Sequence, residues 1–193
     1  WAKKSGFGVE FVDNKFYGTP FEENQHISHE GVKEYMRKLT SYQPRDYQID
    51  AVYDALRYNR KLIVSPTGSG KSLMIYSVVR YFAETSRKIL LVVPTTSLVE
   101  QMFKDFEDYG WDSESNCHKI YSGRDKVSSK NVTITTWQSI YKLPRSWFEP
   151  YDVVIGDEAH LFKSKSLVNI MTKMDNAKYR FGFTGTLDGS QTH

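Results

Sequence analysis

The sequence has one cysteine, Cys117, among its 193 residues. A single thiol cannot form an intrachain disulfide, so the small secreted scaffolds that several disulfides hold together are excluded. Long apolar segments are missing as well. The longest purely aliphatic run, Ile89–Val93, is far too short to cross a bilayer, and the first residues lack the apolar core of a signal peptide. We therefore expect a soluble chain from a cytosol-like compartment.

A strong excess of either charge is also absent. The chain carries 26 Lys and Arg residues against 23 Asp and Glu, a net charge of +3, and its pI is about 8.8. A dedicated nucleic-acid-binding domain typically has a pI above about 9, so the charge permits a nucleic-acid partner without requiring one. Apolar residues make up 39% of the chain and charged residues 25%, which is enough for a sizeable core beneath a solvated surface.

An initiator methionine is missing, and residues 188–193 show no helical pattern, so we expect a piece of a longer protein. Residues 1–43 predict the tail of a small N-terminal α+β domain and a linker. In this part, alternating apolar residues predict a hairpin over 7–16, and apolar residues at helical spacing predict a helix over 28–39. One larger domain is expected over 44–193.

From residue 44 onward, short apolar runs alternate with amphipathic segments. The runs predict strands over 62–64, 89–93, 119–121, 132–135, 153–155 and 180–183. The amphipathic segments predict helices over 45–58, 72–84, 97–108 and 166–174. Strands without a polar face that alternate with helices are typical of a parallel sheet covered on both sides. The sequence therefore predicts an α/β domain with a mostly parallel sheet of about six or seven strands and helices on both faces.

A glycine-rich segment lies between a predicted strand and a predicted helix. Its residues are Ser65, Pro66, Thr67, Gly68, Ser69, Gly70, Lys71 and Ser72. This is the context of a phosphate-binding P-loop, in which glycines let successive N–H groups face the phosphates. We expect residues 67–72 to bind nucleotide, with Lys71 at the β- and γ-phosphates and Ser72 on Mg²⁺. Ser65 stands where the pattern usually has glycine, and a glycine-rich turn with an unrelated lysine is the alternative.

An acidic pair, Asp157 and Glu158, follows the aliphatic run at 153–155. A strand that delivers carboxylates at its C-terminal end is how P-loop ATPases place a Mg²⁺-binding group beside the phosphates. Asp157 is the expected metal ligand, and Glu158 is positioned to orient and deprotonate an attacking water. An ordinary cap at the end of a strand is the alternative interpretation of the pair.

Together these motifs resemble those of superfamily 2 helicases and translocases in their order and spacing. The P-loop is followed by Asp157-Glu158-Ala159-His160 and then by Thr184-Gly185-Thr186. Segments similar to further motifs of the superfamily lie at 44–48, 94–98 and 135–139. The resemblance covers about residues 42–187 and implies a RecA-like ATP-binding domain. Within the superfamily, the chain looks most like phage recombination and repair helicases.

The resemblance also implies roles for single residues. Gln48 would bind adenine, because its amide offers both a donor and an acceptor, and Arg45 would support that pocket. An ordinary arginine on a helix surface is the alternative for Arg45. His160 is implied as a fourth catalytic residue, and it would join Thr184, Gly185 and Thr186 in linking the nucleotide to the nucleic acid. The nucleic-acid track would comprise Thr95, Thr96, Ser97, Gln101, Gly123, Arg124, Thr136, Trp137 and Gln138. Such groups contact phosphates without reading sequence, and core packing is the alternative for Trp137.

The implied function is hydrolysis of ATP with Mg²⁺, coupled to movement on branched or single-stranded DNA. RNA in R-loops is a further implied partner, and the implied location is the cytoplasm of a bacterial or phage-infected cell. Motors of this superfamily take arginine fingers from a second RecA-like domain, so we expect this chain alone to be almost inactive. A superfamily 2 RNA helicase, a P-loop kinase or GTPase, and a non-catalytic binding module stay open as alternatives. Without paired cysteines, no structural zinc is expected.

Overall fold

The computed structural model describes residues 24–66, 68–121, 125–158 and 165–185, in which six strands form one parallel sheet. The strands are β1 (Arg60–Val64), β2 (Ile89–Val93), β3 (Cys117–Ile120), β4 (Val132–Thr136), β5 (Val153–Asp157) and β6 (Tyr179–Thr184). Their order across the sheet is β1-β6-β5-β2-β4-β3, and every neighbouring pair is parallel. The predicted α/β fold is confirmed. The predicted hairpin over 7–16 lies outside the described residues.

Within the described ranges, five helices of two or more turns accompany the sheet. They are α1 (His29–Leu39), α2 (Asp46–Arg57), α3 (Lys71–Glu84), α4 (Thr96–Asp108) and α8 (Lys165–Lys173). Three single-turn helices also occur, α5 (Ser113–Asn116), α6 (Trp137–Ile140) and α7 (Arg145–Phe148). These three helices were not predicted from the sequence, because four residues are too few to show a helical period. None of the helices in the described part of the chain has the length and apolar character that a membrane span needs.

Helices cover both faces of the sheet, and the strands contribute to two cores. Along β2, Ile89, Leu91 and Val93 belong to the core that includes residues of α1 to α4. The intervening Leu90 and Val92 belong to the opposite core, which includes residues of α6, α7 and α8. Successive side chains of a strand point to opposite faces, so a strand buried on both sides is apolar throughout. This is why every residue of β2 is both aliphatic and buried.

Helix α1 packs against the sheet domain. The Ser28 hydroxyl caps the helix by accepting a hydrogen bond from the Gly31 N–H at 3.1 Å. Val32 and Met36 are buried in the same core as the β2 side chains, and the Tyr35 hydroxyl donates to the Ser77 carbonyl in α3 at 2.8 Å. Although α1 precedes the predicted domain boundary at residue 43, its apolar face is therefore part of the core of the domain.

The carboxyl ends of the strands bring the separate motifs together. All strands of a parallel sheet end along one edge, which is where ligands bind in folds of this class. Val64 at the end of β1 lies opposite Thr184, and the next residue, Ser65, donates its N–H to the Thr184 carbonyl at 2.7 Å. On the other side of β6, Asp157 lies opposite Phe183. The P-loop, the acidic pair and the end of β6 therefore meet at one place.

Candidate nucleotide-binding site

The P-loop backbone has the shape of a phosphate cradle. Gly68 and Gly70 have φ angles of 80° and 74°, a region that side-chain-bearing residues rarely adopt. Gly70 is the N-cap of α3, a helix of 14 residues, and a Cβ atom at this position would overlap the amide nitrogen of Gln48. The first N–H groups of a helix have no partner within it, and the helix dipole makes this end positive. These residues therefore fit the phosphates of a nucleotide.

Lys71, the first residue of α3, reaches across to the end of β5. Its Nζ lies 2.8 Å from Asp157 Oδ1 and also contacts Glu158 Oε1. The Lys71 side chain is 18% exposed and that of Asp157 5%, so the charges of this cluster are largely removed from water. A buried charge is tolerated only when it is paired. The P-loop lysine and the acidic pair, which were both predicted from the sequence, thus form one ion-paired cluster.

The environment of this cluster determines its charge state. Burial disfavours the charged form of Lys71, but the hydrogen bonds and negative charges of Asp157 and Glu158 outweigh burial and raise the pKa of the lysine. Burial also raises the pKa of the Asp157 carboxyl, against the opposing effect of Lys71. Since an ordinary lysine is already protonated at neutral pH, Lys71 carries its positive charge in this site.

Glu158 has an unusual backbone conformation for its residue type. Its φ of 54° lies in the left-handed region, directly after β5, and its N–H donates to Asp157 Oδ1 at 2.9 Å. Non-glycine residues in this region cost energy and occur frequently at functional sites. The turn fixes the relative placement of the two carboxylates at the edge of the sheet.

Ser72 and Asp157 supply the donor set that a magnesium ion requires. Mg²⁺ binds oxygen ligands, typically one or two protein groups together with phosphate oxygens and water. The Ser72 hydroxyl belongs to the second residue of α3, and the Asp157 carboxylate is linked to α3 through Lys71. The Ser72 Oγ lies 2.7 Å from the hydroxyl oxygen of Tyr109, a residue that no motif includes. The residues present thus fit a metal bound together with a nucleotide.

Gln48 and its neighbours connect the start of α2 to the P-loop. The Gln48 Nε2 donates to the Ser69 carbonyl at 2.9 Å, and its Oε1 accepts from the Arg45 N–H at 2.9 Å. The Tyr47 hydroxyl donates to the same Ser69 carbonyl at 2.8 Å, and Arg45 Nη1 donates to that hydroxyl at 3.2 Å. A cavity of about 210 Å³ lies beside these residues and the P-loop glycines. The structure therefore brings the predicted adenine-binding residues next to the predicted phosphate-binding ones.

The predicted nucleic-acid contacts fall on two neighbouring strand ends. Those after β2 are Thr95, Thr96, Ser97 and Gln101, and all four are exposed along the start of α4. Those after β4 are Thr136, Trp137 and Gln138, of which Gln138 is exposed and donates to the Pro94 carbonyl at 3.4 Å. Because β2 and β4 are adjacent in the sheet, the two groups lie side by side.

Trp137 is half-buried and packs against the core that includes α6, α7 and α8, with its ring centroid 6.0 Å from that of Tyr141. Thr184 is buried at the end of β6, and Gly185 approaches the Ser65 carbonyl.

The remaining predicted site residues lie outside the described residues; they are Thr67, Gly123, Arg124, His160 and Thr186. Tyr109 was not predicted at this site, because aromatic residues make up 15% of the chain and core packing is the better explanation for most of them.

Comparisons with known proteins agree with this geometry. Residues 41–189 match the family described as "Type III restriction enzyme, res subunit". The ATP-dependent DNA helicase UvsW of Enterobacteria phage T4 is 35% identical, over 92% of this chain and 38% of that protein. The DNA 3'-5' translocase XPB2 of Sulfurisphaera tokodaii is 32% identical, over 74% of this chain and 30% of that protein. The chain thus spans less than two fifths of the length of these curated relatives.

Solved structures show the same fold. The crystal structure of the T4 UvsW helicase superposes with a TM-score of 0.79 and 31% identity, over 96% of this chain and 68% of that one. The helicase domain of Pyrococcus furiosus Hef superposes with a TM-score of 0.65 and 25% identity, over 77% of this chain and 34% of that one. The family match covers most of the chain and includes every motif of the site. This chain therefore belongs to the type III restriction enzyme res subunit family, within the superfamily 2 helicases and translocases.

Proposed function

We propose that this chain is the first RecA-like domain, over residues 44–193, of an ATP-dependent helicase that remodels branched DNA. The observation that carries the proposal is the contact of Lys71 with both Asp157 and Glu158 beside the P-loop. A P-loop kinase or GTPase needs no Gln48 contact to its P-loop, whereas this chain has one. The likeness to T4 UvsW and to the XPB2 translocase supports a DNA substrate over RNA.

In the proposed reaction, the P-loop N–H groups bind the phosphates of ATP, and Lys71 supplies positive charge beside them. Phosphate oxygens compete with the two carboxylates for this ammonium group. Ser72 and Asp157 would hold Mg²⁺, which would supply positive charge against the charge that develops on the phosphates. Glu158 orients the attacking water and accepts its proton. His160 acts with Asp157 and Glu158 as the fourth catalytic residue.

The coupling to DNA is proposed to run along the same edge of the sheet. Thr95, Thr96, Ser97 and Gln101 at the start of α4 would present hydroxyls, an amide and backbone N–H groups to the DNA backbone, and Thr136 and Gln138 lie at the end of the neighbouring strand. Gly123 and Arg124 are proposed as further phosphate contacts. Contacts of this kind bind nucleic acid by its shape and phosphates. Thr184, Gly185 and Thr186 are proposed to link this track to the P-loop, and the hydrogen bond from the Ser65 N–H to the Thr184 carbonyl supports this role for Thr184.

The test is to measure nucleotide and nucleic-acid binding by the purified chain. Fluorescence of a labelled ATP analogue reports the nucleotide, and anisotropy reports a four-way junction, a linear duplex, single-stranded DNA and single-stranded RNA. We expect magnesium-dependent ATP binding that is lost in Lys71→Ala and kept in Lys38→Ala, a matched change of an exposed lysine on α1. The four-way junction should bind more tightly than the linear duplex.

Other results would change the proposal in separate ways. Tighter binding of single-stranded RNA than of any DNA would favour an RNA helicase. Nucleotide binding without any nucleic-acid binding would leave the ATP site in place and refute the DNA motor. Rapid ATP hydrolysis or robust unwinding by the chain alone would contradict the need for arginine fingers from a second RecA-like domain.

A further inference from the structure

Tyr109 follows α4 directly and contacts the P-loop across 37 residues of sequence. Its hydroxyl oxygen lies 2.7 Å from Ser72 Oγ. The proposed function requires this same serine hydroxyl as a magnesium ligand. Residues that hydrogen-bond a metal ligand from behind commonly determine how that ligand is oriented. The contact therefore places the Tyr109 hydroxyl behind a proposed metal ligand.

The position of Tyr109 is fixed by its surroundings. Its backbone N–H donates to the Asp105 carbonyl at 2.9 Å, so the residue caps α4. Its ring packs 5.1 Å from that of Tyr76 on α3, and Tyr42 meets it edge-on at 5.4 Å between ring centroids. The same ring lines the cavity of about 210 Å³ beside Gly68 and the other P-loop residues. The hydroxyl is thus delivered to Ser72 by a packed side chain with little freedom to move.

The chemistry of the two hydroxyls limits what this bond can do. An ordinary tyrosine is neutral at pH 7, so the Tyr109 phenol can accept a hydrogen bond from Ser72 or donate one to it. A serine hydroxyl has one proton and two lone pairs. When Ser72 donates its proton to Tyr109, both of its lone pairs remain available to a cation. When Ser72 accepts instead, one of them is used.

We propose that Tyr109 is a positioning residue of the nucleotide site, whose oxygen accepts the Ser72 proton and so keeps the serine lone pairs available for Mg²⁺. This inference rests on the proposed function, because it requires Ser72 to bind the metal. Loss of an outer-shell partner typically weakens metal binding by about 10- to 100-fold. We expect the lower end, about tenfold, because Tyr109 forms a single bond between neutral groups.

The test compares the affinity of a labelled non-hydrolysable ATP analogue in EDTA and in saturating Mg²⁺. The ratio of the two dissociation constants measures the contribution of the metal, independently of hydrolysis. In Tyr109→Phe, which removes only the hydroxyl oxygen, we expect the affinity in EDTA to stay within about twofold of wild type and the ratio to fall about tenfold. In a Ser72→Ala background, the same Tyr109→Phe change is expected to have no further effect, since its partner is already gone.

The chain offers a matched control. Tyr151 also pairs its hydroxyl with a side-chain hydroxyl, that of Thr133 at 2.9 Å, and it belongs to the core on the other face of the sheet. Tyr151→Phe should leave the ratio unchanged, and thermal unfolding identifies any variant that fails to fold. An unchanged ratio in Tyr109→Phe, or an equal loss of affinity in EDTA and in Mg²⁺, would overturn the inference while the ATP site stands. A wild-type chain that gains no affinity from Mg²⁺ would overturn the inference and the proposed metal site together.

Discussion

The two candidate functional regions of this domain are built in opposite ways. At the nucleotide edge, Lys71, Asp157 and Glu158 come from distant parts of the sequence and form a cluster in which the Asp157 side chain is 5% exposed. Along the predicted track, Thr95, Thr96, Ser97 and Gln101 are exposed, and the hydrogen bonds at the two ends of this segment are local: the Thr95 hydroxyl accepts from the Leu98 N–H at 3.3 Å, and the Gln101 amide donates to Asp105 at 2.7 Å.

This difference has consequences for mutation. When one partner of a buried ion pair is removed, the other charge stays buried without a counter-charge, which strongly destabilises the folded protein. An exposed hydroxyl at a helix start contributes a hydrogen bond or a cap, each worth about 1 kcal/mol. Changes at the nucleotide edge should therefore have large and specific effects, and changes along the track should have small and additive ones.

The largest effect is expected for Lys71→Ala. The variant loses the positive charge that the phosphates need and leaves Asp157 buried beside Glu158 without a counter-charge. Charge-assisted bonds contribute about 1.5 to 3 kcal/mol each, so we expect ATP affinity to fall at least about 100-fold. Titration with a labelled ATP analogue measures this, and Lys38→Ala should match wild type. ATP affinity within about threefold of wild type in Lys71→Ala would show that the cluster does not bind phosphate.

A smaller effect on nucleotide binding is expected at the P-loop glycine Gly70. Gly70→Ala forces a side chain into a left-handed conformation, a strain of about 1 to 2 kcal/mol, and pushes the new methyl group against Gln48. Gly110 provides the matched control, because its φ is 94° and a Cβ there would meet open space.

Both glycine variants should lose stability in chemical denaturation, and only Gly70→Ala should also lose nucleotide binding. Equal binding by the two variants would show that the contact between Gln48 and the P-loop is unimportant for the cradle.

Along the track, Thr96→Ala and Gln101→Ala are each expected to weaken DNA binding about two- to fivefold, since each removes one polar contact with a phosphate. The loss should be similar for every DNA sequence, and nucleotide affinity without DNA should not change. Thr172→Ala, which removes an exposed threonine hydroxyl on α8, is the control. Anisotropy titrations with two unrelated sequences measure both the loss and its independence of sequence. A loss confined to one sequence would indicate base contacts instead.

The contrast between the two regions also explains what the sequence could predict. The apolar runs predicted all six strands of the described sheet within two residues. The reason is clearest for β2, which is buried on both faces and has no polar position. The P-loop and the acidic pair were readable because glycine and carboxylate requirements leave local patterns. The contact between Ser72 and Tyr109 leaves none, since it joins residues 37 positions apart through a tyrosine that resembles its core-packed neighbours. Helices of one turn, such as α6, were missed for the same lack of a pattern.

A last prediction uses a residue that belongs to neither region. Cys117 is buried at the start of β3, and burial raises the pKa of its thiol to about 12. Only the thiolate reacts with iodoacetamide, and an ordinary thiol titrates near pH 8.5, so labelling of the folded chain at pH 8 should be far slower than in denaturant and should rise with pH. Because the thiol lies away from both regions, saturating nucleotide or DNA should change the labelling rate of the folded chain only by stabilising the whole domain. At equal ligand occupancy, wild type and Thr96→Ala should therefore show the same fold-change in labelling rate. If nucleotide changes the labelling rate by more than its effect on the free energy of unfolding predicts, the two regions communicate through the sheet itself.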